Sequence, residues 1–269
     1  MLALALSLPA HLAPAPAAAD EVDHVRAYRE CMALVDRHPE EAFEEALAWQ
    51  ALGGGEAARH CGARARIGLK QYGQAATLLE DLAQSTRRGL GFKARFLAQA
   101  AQAWRLAGDD ARALAVLDTA LRLGEEAKGA GGEGEASGLD PAITADLLTD
   151  RASVLAAQGR LWDAVDDLNR VLERDPGAVD ALVFRATAYR LLDGKDTPTL
   201  DLAAADLERA LALDPDHVEG RLERGNLRRL RGDDAGARAD WLGVLDRAPK
   251  SPAATAARAN LEKLDVKTR

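Results

Sequence analysis

The sequence predicts an all-α protein, an elongated α-solenoid of antiparallel helix hairpins that ends in a C-terminal capping helix. In residues 148–176, small and bulky apolar side chains alternate at the spacing of two packed helices. The same order of residues returns twice downstream, as in a repeat architecture. The chain of 269 residues is 48% hydrophobic but only 4% aromatic, and it has no runs rich in Val, Ile and Thr that would favour strands. Closely packed, alanine-rich helices account for all three observations.

The first of these hairpins shows how each element is defined. Gly159 predicts the turn between the two helices, and Pro176 predicts the end of the second helix, because proline cannot continue a helix. The corresponding prolines of the next two copies are Pro215 and Pro249, so the intervals are 39 and 34 residues. We attribute the longer interval to extra residues in the turn at 193–199. A period of 34 residues is the length of a tetratricopeptide repeat.

These segments resemble tetratricopeptide (TPR) repeats, whose pattern is W-x2-L-G-x2-Y, then A-x3-F, then P. The match is specific because spacing and residue size agree together. The resemblance implies a right-handed solenoid whose first helices line a concave groove, where extended or helical peptides bind. At the glycine of the pattern stand Ala152, Ala186 and Gly225, at its tyrosine Tyr189, at its second-helix alanine Ala164, Ala203 and Ala237, and at its phenylalanine Leu168, Leu207 and Trp241.

A second regularity concerns charged residues in the three clear repeats. Arginine occupies one equivalent position of the first helix, and aspartate occupies one equivalent position of the second. In the copy just upstream both are absent, since the two positions hold Ala100 and Val116. We therefore predict an ion pair across each hairpin that orients the helices and binds no ligand, and an exposed pair of this kind contributes only about 0–1 kcal/mol. The predicted pairs are Arg151–Asp167, Arg185–Asp206 and Arg224–Asp240.

The rest of the chain extends the repeat in both directions. One alanine marks each second helix, and its recurrence predicts six repeats, of which the first three are degenerate. Beyond the last repeat, apolar residues at helical spacing predict the capping helix, since the open end of a solenoid needs a polar outer face. The marker alanines are Ala42, Ala75, Ala113, Ala164, Ala203 and Ala237. The predicted segments are a signal peptide at 1–19, degenerate TPR-like repeats at 21–123, a flexible acidic glycine-rich loop at 124–138, three clear TPR repeats at 142–249 and the capping helix at 251–264.

The first nineteen residues have the order of a secretory signal peptide. An apolar run from Leu2 to Leu8 is followed by Pro9 and, further on, by three alanines at 17–19. The run is too short to span a bilayer. The cleavage site has no cysteine to which a lipid anchor could be attached. We therefore expect export to the bacterial periplasm and no membrane span. Because no Lys or Arg precedes the apolar run, a disordered Ala/Pro tail on a cytoplasmic protein is the alternative.

Cys31 and Cys61 are the two cysteines of the chain, and they fall on the first helices of adjacent repeats. These helices are neighbours in a TPR stack, so a disulfide is geometrically possible, and an oxidising compartment would favour it. A bridge closing about 30 residues contributes on the order of 3–4 kcal/mol. The alternative is a pair of small buried thiols. Two cysteines and scattered histidines show no ligand spacing, so we expect no metal site.

Charge and motifs exclude several function classes. A net charge of −8 argues against a nucleic-acid partner. Residues 129–134 fit the dinucleotide pattern G-x-G-x-x-G, but they follow no strand and lie among glutamates that would repel a pyrophosphate. No G-x-S-x-G, H-E-x-x-H or Walker sequence occurs, so we expect neither an enzyme nor a cofactor. Five arginines between positions 221 and 231 could receive an acidic peptide or could pair with nearby aspartates.

The TPR resemblance also assigns groove positions, by carrying the family geometry onto aligned residues. The lysine and asparagine of the chaperone-binding carboxylate clamp are not supplied together, so a chaperone tail is not expected. We expect a scaffold or adaptor that binds a protein or peptide segment. The alternative is a structural subunit docked permanently in a cell-envelope complex, which an exposed apolar patch including Trp162 or Phe184 would favour. The candidate groove residues are Arg105, Thr149, Ser153, Thr187, Arg190, Asn226 and Arg229.

Overall fold

The computed structural model describes residues 23–129, 139–192 and 197–267. These residues form thirteen α-helices and no strand, which confirms the all-α prediction. The helices are α1 (His24–Leu34), α2 (Pro39–Ala51), α3 (Gly55–Gly68), α4 (Tyr72–Ser85), α5 (Leu90–Leu106), α6 (Asp110–Gly129), α7 (Pro141–Ala157), α8 (Leu161–Arg174), α9 (Val179–Leu192), α10 (Thr197–Leu213), α11 (Val218–Leu230), α12 (Asp234–Arg247) and α13 (Pro252–Lys267).

Each helix packs mainly against the next one in the chain, as a solenoid requires. We number the hairpins repeat 1 (α1–α2) to repeat 6 (α11–α12), and α13 packs onto the open end of repeat 6. One hydrophobic core runs from Ala63 to Leu227, through repeats 2 to 6. Smaller cores join repeat 1 to α3 and repeat 6 to α13. The predicted TPR-like solenoid is therefore confirmed.

Small residues let the two helices of a hairpin approach each other. Ala164, Ala203 and Ala237 have no exposed surface. In repeat 6, Gly225 of the first helix faces Trp241 of the second helix. A Cβ at Gly225 would lie 2.6 Å from Nε1 of Trp241. The indole therefore occupies the space that a side chain at this position would need, and the TPR order of small and large residues has a direct steric cause.

The turns inside the hairpins share one backbone conformation. Gly108, Gly159 and Gly232 adopt φ values of 76°, 76° and 83° at equivalent positions of repeats 3, 4 and 6. This left-handed region suits glycine because it has no Cβ. In repeat 2 the same place is taken by Lys70 at φ 59°. The second repeat therefore makes the same turn with a residue that rarely adopts it.

The predicted start of the glycine-rich loop, at 124, is wrong. Helix α6 continues to Gly129, and Gly124 and Ala127 are buried in it. A Cβ at Gly124 would lie 2.8 Å from the side chain of Leu139, so this glycine permits close packing inside a helix. The cause is an apolar stripe that Leu121 and these two residues continue at helical spacing. The remainder of the predicted loop, at 130–138, lies outside the described residues.

Two other predicted boundaries differ from the structure. Helix α10 begins at Thr197, inside the stretch predicted as a turn, of which 193–196 lie outside the described residues. The capping helix runs over Pro252–Lys267, past the predicted end at 264. Its Ala254, Ala257 and Leu264 are buried against repeat 6. The predicted signal peptide at 1–19 also lies outside the described residues.

Candidate functional site

A disulfide joins the first helices of repeats 1 and 2. It links Cys31 of α1 to Cys61 of α3, with 6.3 Å between the Cα atoms. Both cysteines are buried, with 2% and 0% of their surface exposed. Helix α1 buries only Cys31 among its own residues. The bridge therefore ties the first helix covalently to the second repeat.

The three arginine–aspartate pairs each cross one hairpin in the same two-pronged geometry. Arg151 donates from Nε and Nη2 to the two carboxylate oxygens of Asp167, at 2.7 and 2.6 Å. Arg185 and Asp206 repeat the arrangement at 2.8 and 2.7 Å. Arg224 and Asp240 repeat it at 3.0 and 2.6 Å. These hydrogen bonds raise the pKa of each arginine.

The aspartates of these pairs are buried, with 3%, 7% and 2% of their surface exposed. The contribution of about 0–1 kcal/mol expected for an exposed ion pair is therefore too small for these pairs. Removal of one partner from a buried pair leaves an uncompensated charge and costs about 3–5 kcal/mol. The pairs are structural elements of the three regular repeats.

The same guanidinium groups also link each repeat to the one before it. Nη1 of Arg151 donates to Asp118 at 2.7 Å, and Nη1 of Arg185 donates to Asn169 at 2.7 Å. For Arg224 of repeat 6, the equivalent place in repeat 5 holds Glu208, which attracts it electrostatically. Each acceptor lies two residues beyond the aspartate position of the preceding repeat. One arginine thus fixes the hairpin and its stacking together.

The groove positions predicted in repeats 3 and 4 are engaged with one another. Arg105 forms an ion pair with Asp150 and reaches Oγ of Ser153 at 3.5 Å. Burial raises the pKa of the Asp150 carboxyl, and the charge of Arg105 opposes that rise. Thr149 donates its hydroxyl to the carbonyl of Ala145 in its own helix at 2.9 Å. The guanidinium of Arg105 is therefore already neutralised by the partly buried carboxylate of Asp150.

The groove positions of repeats 5 and 6 form a second closed network. Arg190 pairs with the buried Glu223, and Nδ2 of Asn226 donates to that carboxylate at 3.0 Å. Oδ1 of Asn226 accepts from Nε1 of Trp241 at 3.2 Å and from Nδ2 of Asn260 at 2.9 Å. Side chains of three elements, α11, α12 and α13, thereby meet at one amide.

The remaining groove positions are satisfied locally as well. Thr187 donates to the carbonyl of Val183 at 3.0 Å, and Arg229 pairs with Asp234 at 2.6 Å. In the arginine-rich stretch from 221 to 231, Arg228 bonds to Asp240 and Arg231 to Asp201. The structure brings the predicted groove residues Arg190, Asn226 and Arg229 to one cavity of ≈ 550 Å³. Both arginines pair with acids there, so they do not form an uncompensated cationic strip.

The structure reveals a concave site that the sequence did not indicate, at the other end of the solenoid. We call it the aromatic pocket. It has a volume of ≈ 540 Å³ and is formed by α1, α3, α5 and the turn before α5. Because these are consecutive first helices, the pocket lies where TPR geometry places the groove. Its walls are His24, Val25, Tyr28, Arg29, Glu56, Ala57, His60, Arg88, Phe92, Arg95, Phe96 and Gln99.

A chain of hydrogen bonds crosses the floor of the aromatic pocket. The Tyr28 hydroxyl lies 2.9 Å from Nδ1 of His60, and Nε2 of His60 lies 2.8 Å from Oε1 of Gln99. Burial lowers the pKa of His60, so the imidazole is neutral at pH 7. A neutral ring that donates from Nε2 to Gln99 accepts from Tyr28 at Nδ1. These hydrogen bonds link the three first helices α1, α3 and α5.

Aromatic contacts complete the walls. The His60 ring lies 5.5 Å from the Phe96 ring and 6.0 Å from the Tyr28 ring, within the usual range for paired rings. The guanidinium of Arg88 lies 3.5 Å from the centre of the Phe92 ring and 3.6 Å from Glu56. The pocket therefore combines aromatic faces with cations on its rim.

The sequence carried one unused signal for this site. Tyr28 and His60 precede the two bridged cysteines on their helices, three and one positions before Cys31 and Cys61. A bridge between these cysteines therefore brings Tyr28 and His60 close together. The contribution of α5 could not be read in this way, because it depends on how the degenerate repeats stack.

Comparison with solved structures identifies the fold. A structure of MamA protein superimposes with a TM-score of 0.55 at 14% identity, over 74% of this chain and 94% of that one. MamA residues 41 to the end from Desulfovibrio magneticus RS-1 give 0.51 at 16% identity, over 86% and 99%. YrrB, described as a TPR protein with an unusual peptide-binding site, gives 0.51 at 15% identity, over 75% and 91%. The chain has the TPR fold.

No protein-family model and no curated protein matches the chain. Within the described ranges, no helix is long and apolar enough to cross a bilayer. Among the same residues, no group of three His, Cys, Asp or Glu side chains could hold a metal ion.

Proposed function

We propose that this protein is a non-enzymatic TPR scaffold that binds a protein or peptide segment on its concave surface. The observation that carries the proposal is the aromatic pocket, a preformed cavity built by three consecutive first helices. A rigid surface of this kind binds with little ordering cost, so a few anchors supply most of the affinity. The groove positions further along hold neutralised networks and serve as flanking contacts.

We propose further that the protein works in the bacterial periplasm. Two features support export: the signal-like segment at 1–19 and the disulfide between Cys31 and Cys61, since disulfides persist in oxidising compartments. Thiol titration after denaturation of protein taken from its native compartment tests this. Fewer than two reactive thiols supports export, whereas two free thiols contradict it.

The scaffold function is tested by a crosslinking pull-down from the native cell envelope with tagged full-length protein. Phe92→Ser removes one pocket wall, and its fold is checked by circular dichroism. A partner captured by the wild type and lost from the folded variant supports binding through the pocket. Retention by the variant would show that the contact lies elsewhere.

A second candidate function is a subunit docked permanently in a cell-envelope complex. Trp162 at the start of α8 and Phe184 on α9 favour it, because 59% and 42% of their surfaces are exposed. Large exposed apolar side chains are typical of contact surfaces. In the same pull-down, Trp162→Ser should release the partner under this function and retain it under the scaffold function.

A further inference from the structure

A small apolar cavity lies between the second helices of repeats 1 and 2, and we call it the outer socket. Residues of α2, α3 and α4 line it, and none of them lines the aromatic pocket. Its volume is ≈ 130 Å³, whereas an apolar cavity of roughly 150 Å³ can hold benzene. The outer socket therefore has room for one aliphatic side chain. Its apolar walls are Ala46, Leu47, Ala58, Gly62 and Leu78.

The outer socket takes the place of the polar contacts that hold the regular repeats. In repeat 4, the guanidinium of Arg151 joins the aspartate of its own hairpin to an acceptor on the preceding second helix. The three equivalent positions around repeat 2 hold Gly62, Leu78 and Leu47, and all three line the outer socket. Repeat 2 therefore has an empty space where the regular repeats have a guanidinium, and two leucines where they have its acceptors.

The mouth of the outer socket is open to solvent. Leu47 is 49% exposed and Leu78 is half-buried, whereas Ala46, Ala58 and Gly62 are buried. The cavity is thus accessible from outside and is not a sealed packing defect. An apolar side chain that enters it removes the surface of both leucines from water, which favours binding.

Two guanidinium groups beside the apolar walls have only neutral partners. Arg59 donates from Nη1 to Oγ of Ser85 at 3.3 Å. Arg66 donates to the carbonyl of Gly62 at 3.3 Å and lies 4.5 Å from the centre of the Phe43 ring. Among the described residues, neither guanidinium forms an ion pair. Burial lowers the pKa of Arg66, with no carboxylate opposing the shift. A carboxylate brought by a ligand would gain charge-assisted hydrogen bonds here.

An open groove continues from the outer socket toward repeat 3. Arg66 and Leu78 line both, and the groove has a volume of ≈ 640 Å³. Its charged walls include Asp81 and Arg112, and Arg112 pairs with Asp109 at 3.2 Å. The groove is therefore less cationic than the socket and offers space for a chain that continues beyond the anchoring side chain. This arrangement favours a protein segment over a small molecule.

We propose that the outer socket binds one aliphatic side chain of a partner protein segment, with an acidic residue beside it that pairs with Arg59 or Arg66. The segment continues along the open groove toward repeat 3. In TPR geometry the first helices line the concave surface, so a segment held between second helices leaves that surface free. The scaffold then holds two partners at once. Because the guanidinium groups are only partly buried, binding weakens as salt is added.

The test is an NMR titration of the full chain with three acetylated, amidated heptapeptides. The first has a central leucine with one aspartate on each side and Gly-Ser ends. The second replaces leucine by glycine, and the third replaces both aspartates by lysines. We expect the first peptide to bind at least tenfold more tightly than either control and to shift signals of α2, α3 and α4. Absence of binding at millimolar concentration, equal affinities or shifts confined to other helices would overturn the proposal.

Free isovalerate, a branched four-carbon chain with a carboxylate, serves as a further probe. It has the aliphatic group and the charge but no peptide chain to occupy the open groove. If isovalerate displaces the first peptide completely at equal concentration, the site is one for a small branched acid and the proposal fails. Incomplete displacement under these conditions supports a protein segment.

Variants locate the site. A Cβ at Gly62 would lie 3.5 Å from Cβ of Ala46 and 3.7 Å from Nη1 of Arg66, which are ordinary contacts. Gly62→Leu should therefore fill the outer socket and weaken the first peptide at least tenfold, with the fold checked by circular dichroism. Leu47→Asp should have a similar effect and keeps the test valid if Gly62→Leu does not fold, because it changes an exposed side chain. Unchanged affinity in a folded variant would overturn the assignment.

Two control variants separate this surface from other parts of the molecule. Leu242 stands at the position of repeat 6 equivalent to Leu47 and is 51% exposed, so Leu242→Asp should leave the first peptide bound. Phe92→Ser, which changes the aromatic pocket, should leave it bound as well. An equal loss in Leu242→Asp would indicate a general effect of the added charge, and an equal loss in Phe92→Ser would place the peptide in the aromatic pocket. Either result would overturn a separate site between the second helices.

Discussion

The two halves of the solenoid are held together by different chemistry. Repeats 4 to 6 share one buried arginine–aspartate pair per hairpin. In repeats 2 and 3 the arginine position holds Gly62 and Ala100, and the aspartate position holds Leu78 and Val116. The first repeats depend on a disulfide, stacked rings and the Tyr28–His60–Gln99 chain instead.

The difference shows how one fold divides stability and binding along its length. In the second half the paired arginines have a structural role, because they connect their own hairpins to the preceding repeats. In the first half a covalent bond, the disulfide, attaches repeat 1 to repeat 2. Side chains of the first helices are then available to form a pocket, and the candidate site lies where the periodic ion pair is missing.

Breaking the ion pair should have the largest effect. Arg185→Ala leaves the buried carboxylate of Asp206 without its partner, which we expect to lower the free energy of unfolding by about 3–5 kcal/mol. Urea denaturation followed by circular dichroism measures the loss. Arg209→Ala, at an exposed position of the neighbouring helix α10, is the control and should change it by less than about 0.5 kcal/mol.

The pairing itself is tested by adding Asp206→Ala. If the ion pair is the cause, the double variant should be more stable than the sum of the two single losses predicts. Strict additivity would show that the two residues stabilise the repeat independently. It would contradict the claim that ion pairs stabilise the second half of the solenoid.

Removing the disulfide should have the next largest effect. Cys31→Ser together with Cys61→Ser frees a closed loop of 30 residues, for which chain entropy gives about 3–4 kcal/mol. The loss should fall on repeat 1, so hydrogen exchange should accelerate in α1 and α2 and stay unchanged in α7–α12. Reductant should reproduce the effect in the wild type and leave the variant unaltered. Equal acceleration of hydrogen exchange in both halves would contradict the claim that the disulfide stabilises only the first half.

The sequence predicted the second half better than the first for a physical reason. Equivalent residues of regular repeats meet equivalent neighbours, so the register of Arg151 and Asp167 was enough to pair them. The burial of Asp167 was not visible, since it depends on how α8 packs between α7 and α9. The end of α6 was also misjudged, because glycine and glutamate after Gly124 indicate a loop unless the packing against Leu139 is known.

The candidate site was the least predictable part. The groove positions were carried over from the family by alignment, but alignment does not show that Arg190 faces Glu223 or that Arg105 faces Asp150. The aromatic pocket joins residues of three degenerate repeats whose relative register has no clear sequence marker. Phenylalanine is a common core residue, so nothing in the spacing of Phe92 and Phe96 distinguished them from ordinary buried side chains.

Acid should weaken the first half before the second. Burial lowers the folded-state pKa of His60 below the ordinary value near 6.5, so the unfolded chain binds the proton more tightly. The stability that this histidine contributes is fully present above pH about 6.5 and is lost as the pH falls through the lowered pKa. The neighbouring charges are Arg64, which opposes protonation, and Glu56, which favours it.

Hydrogen exchange at pH 7 and pH 5 checks this expectation. Exchange in α3 and α5 should accelerate at pH 5 relative to the helices of repeats 5 and 6, after correction for intrinsic rates. His60→Gln should abolish the difference, and His38→Gln, at an exposed site between α1 and α2, should retain it. A difference that survives His60→Gln would assign the pH sensitivity to another group.

The smallest effect concerns the hairpin turns, where the two halves can be compared at one backbone position. Lys70 has the left-handed conformation that glycine adopts in repeats 3, 4 and 6. Lys70→Gly should therefore stabilise the protein by about 0.5–1 kcal/mol, the left-handed penalty less the extra entropy of an unfolded glycine. Gly159→Lys, the reverse change in repeat 4, should destabilise by a similar amount. Thermal unfolding should shift by about 1–4 °C in opposite directions. Shifts of the same sign would mean that side-chain contacts of the turn, and not its backbone conformation, set the difference between these repeats.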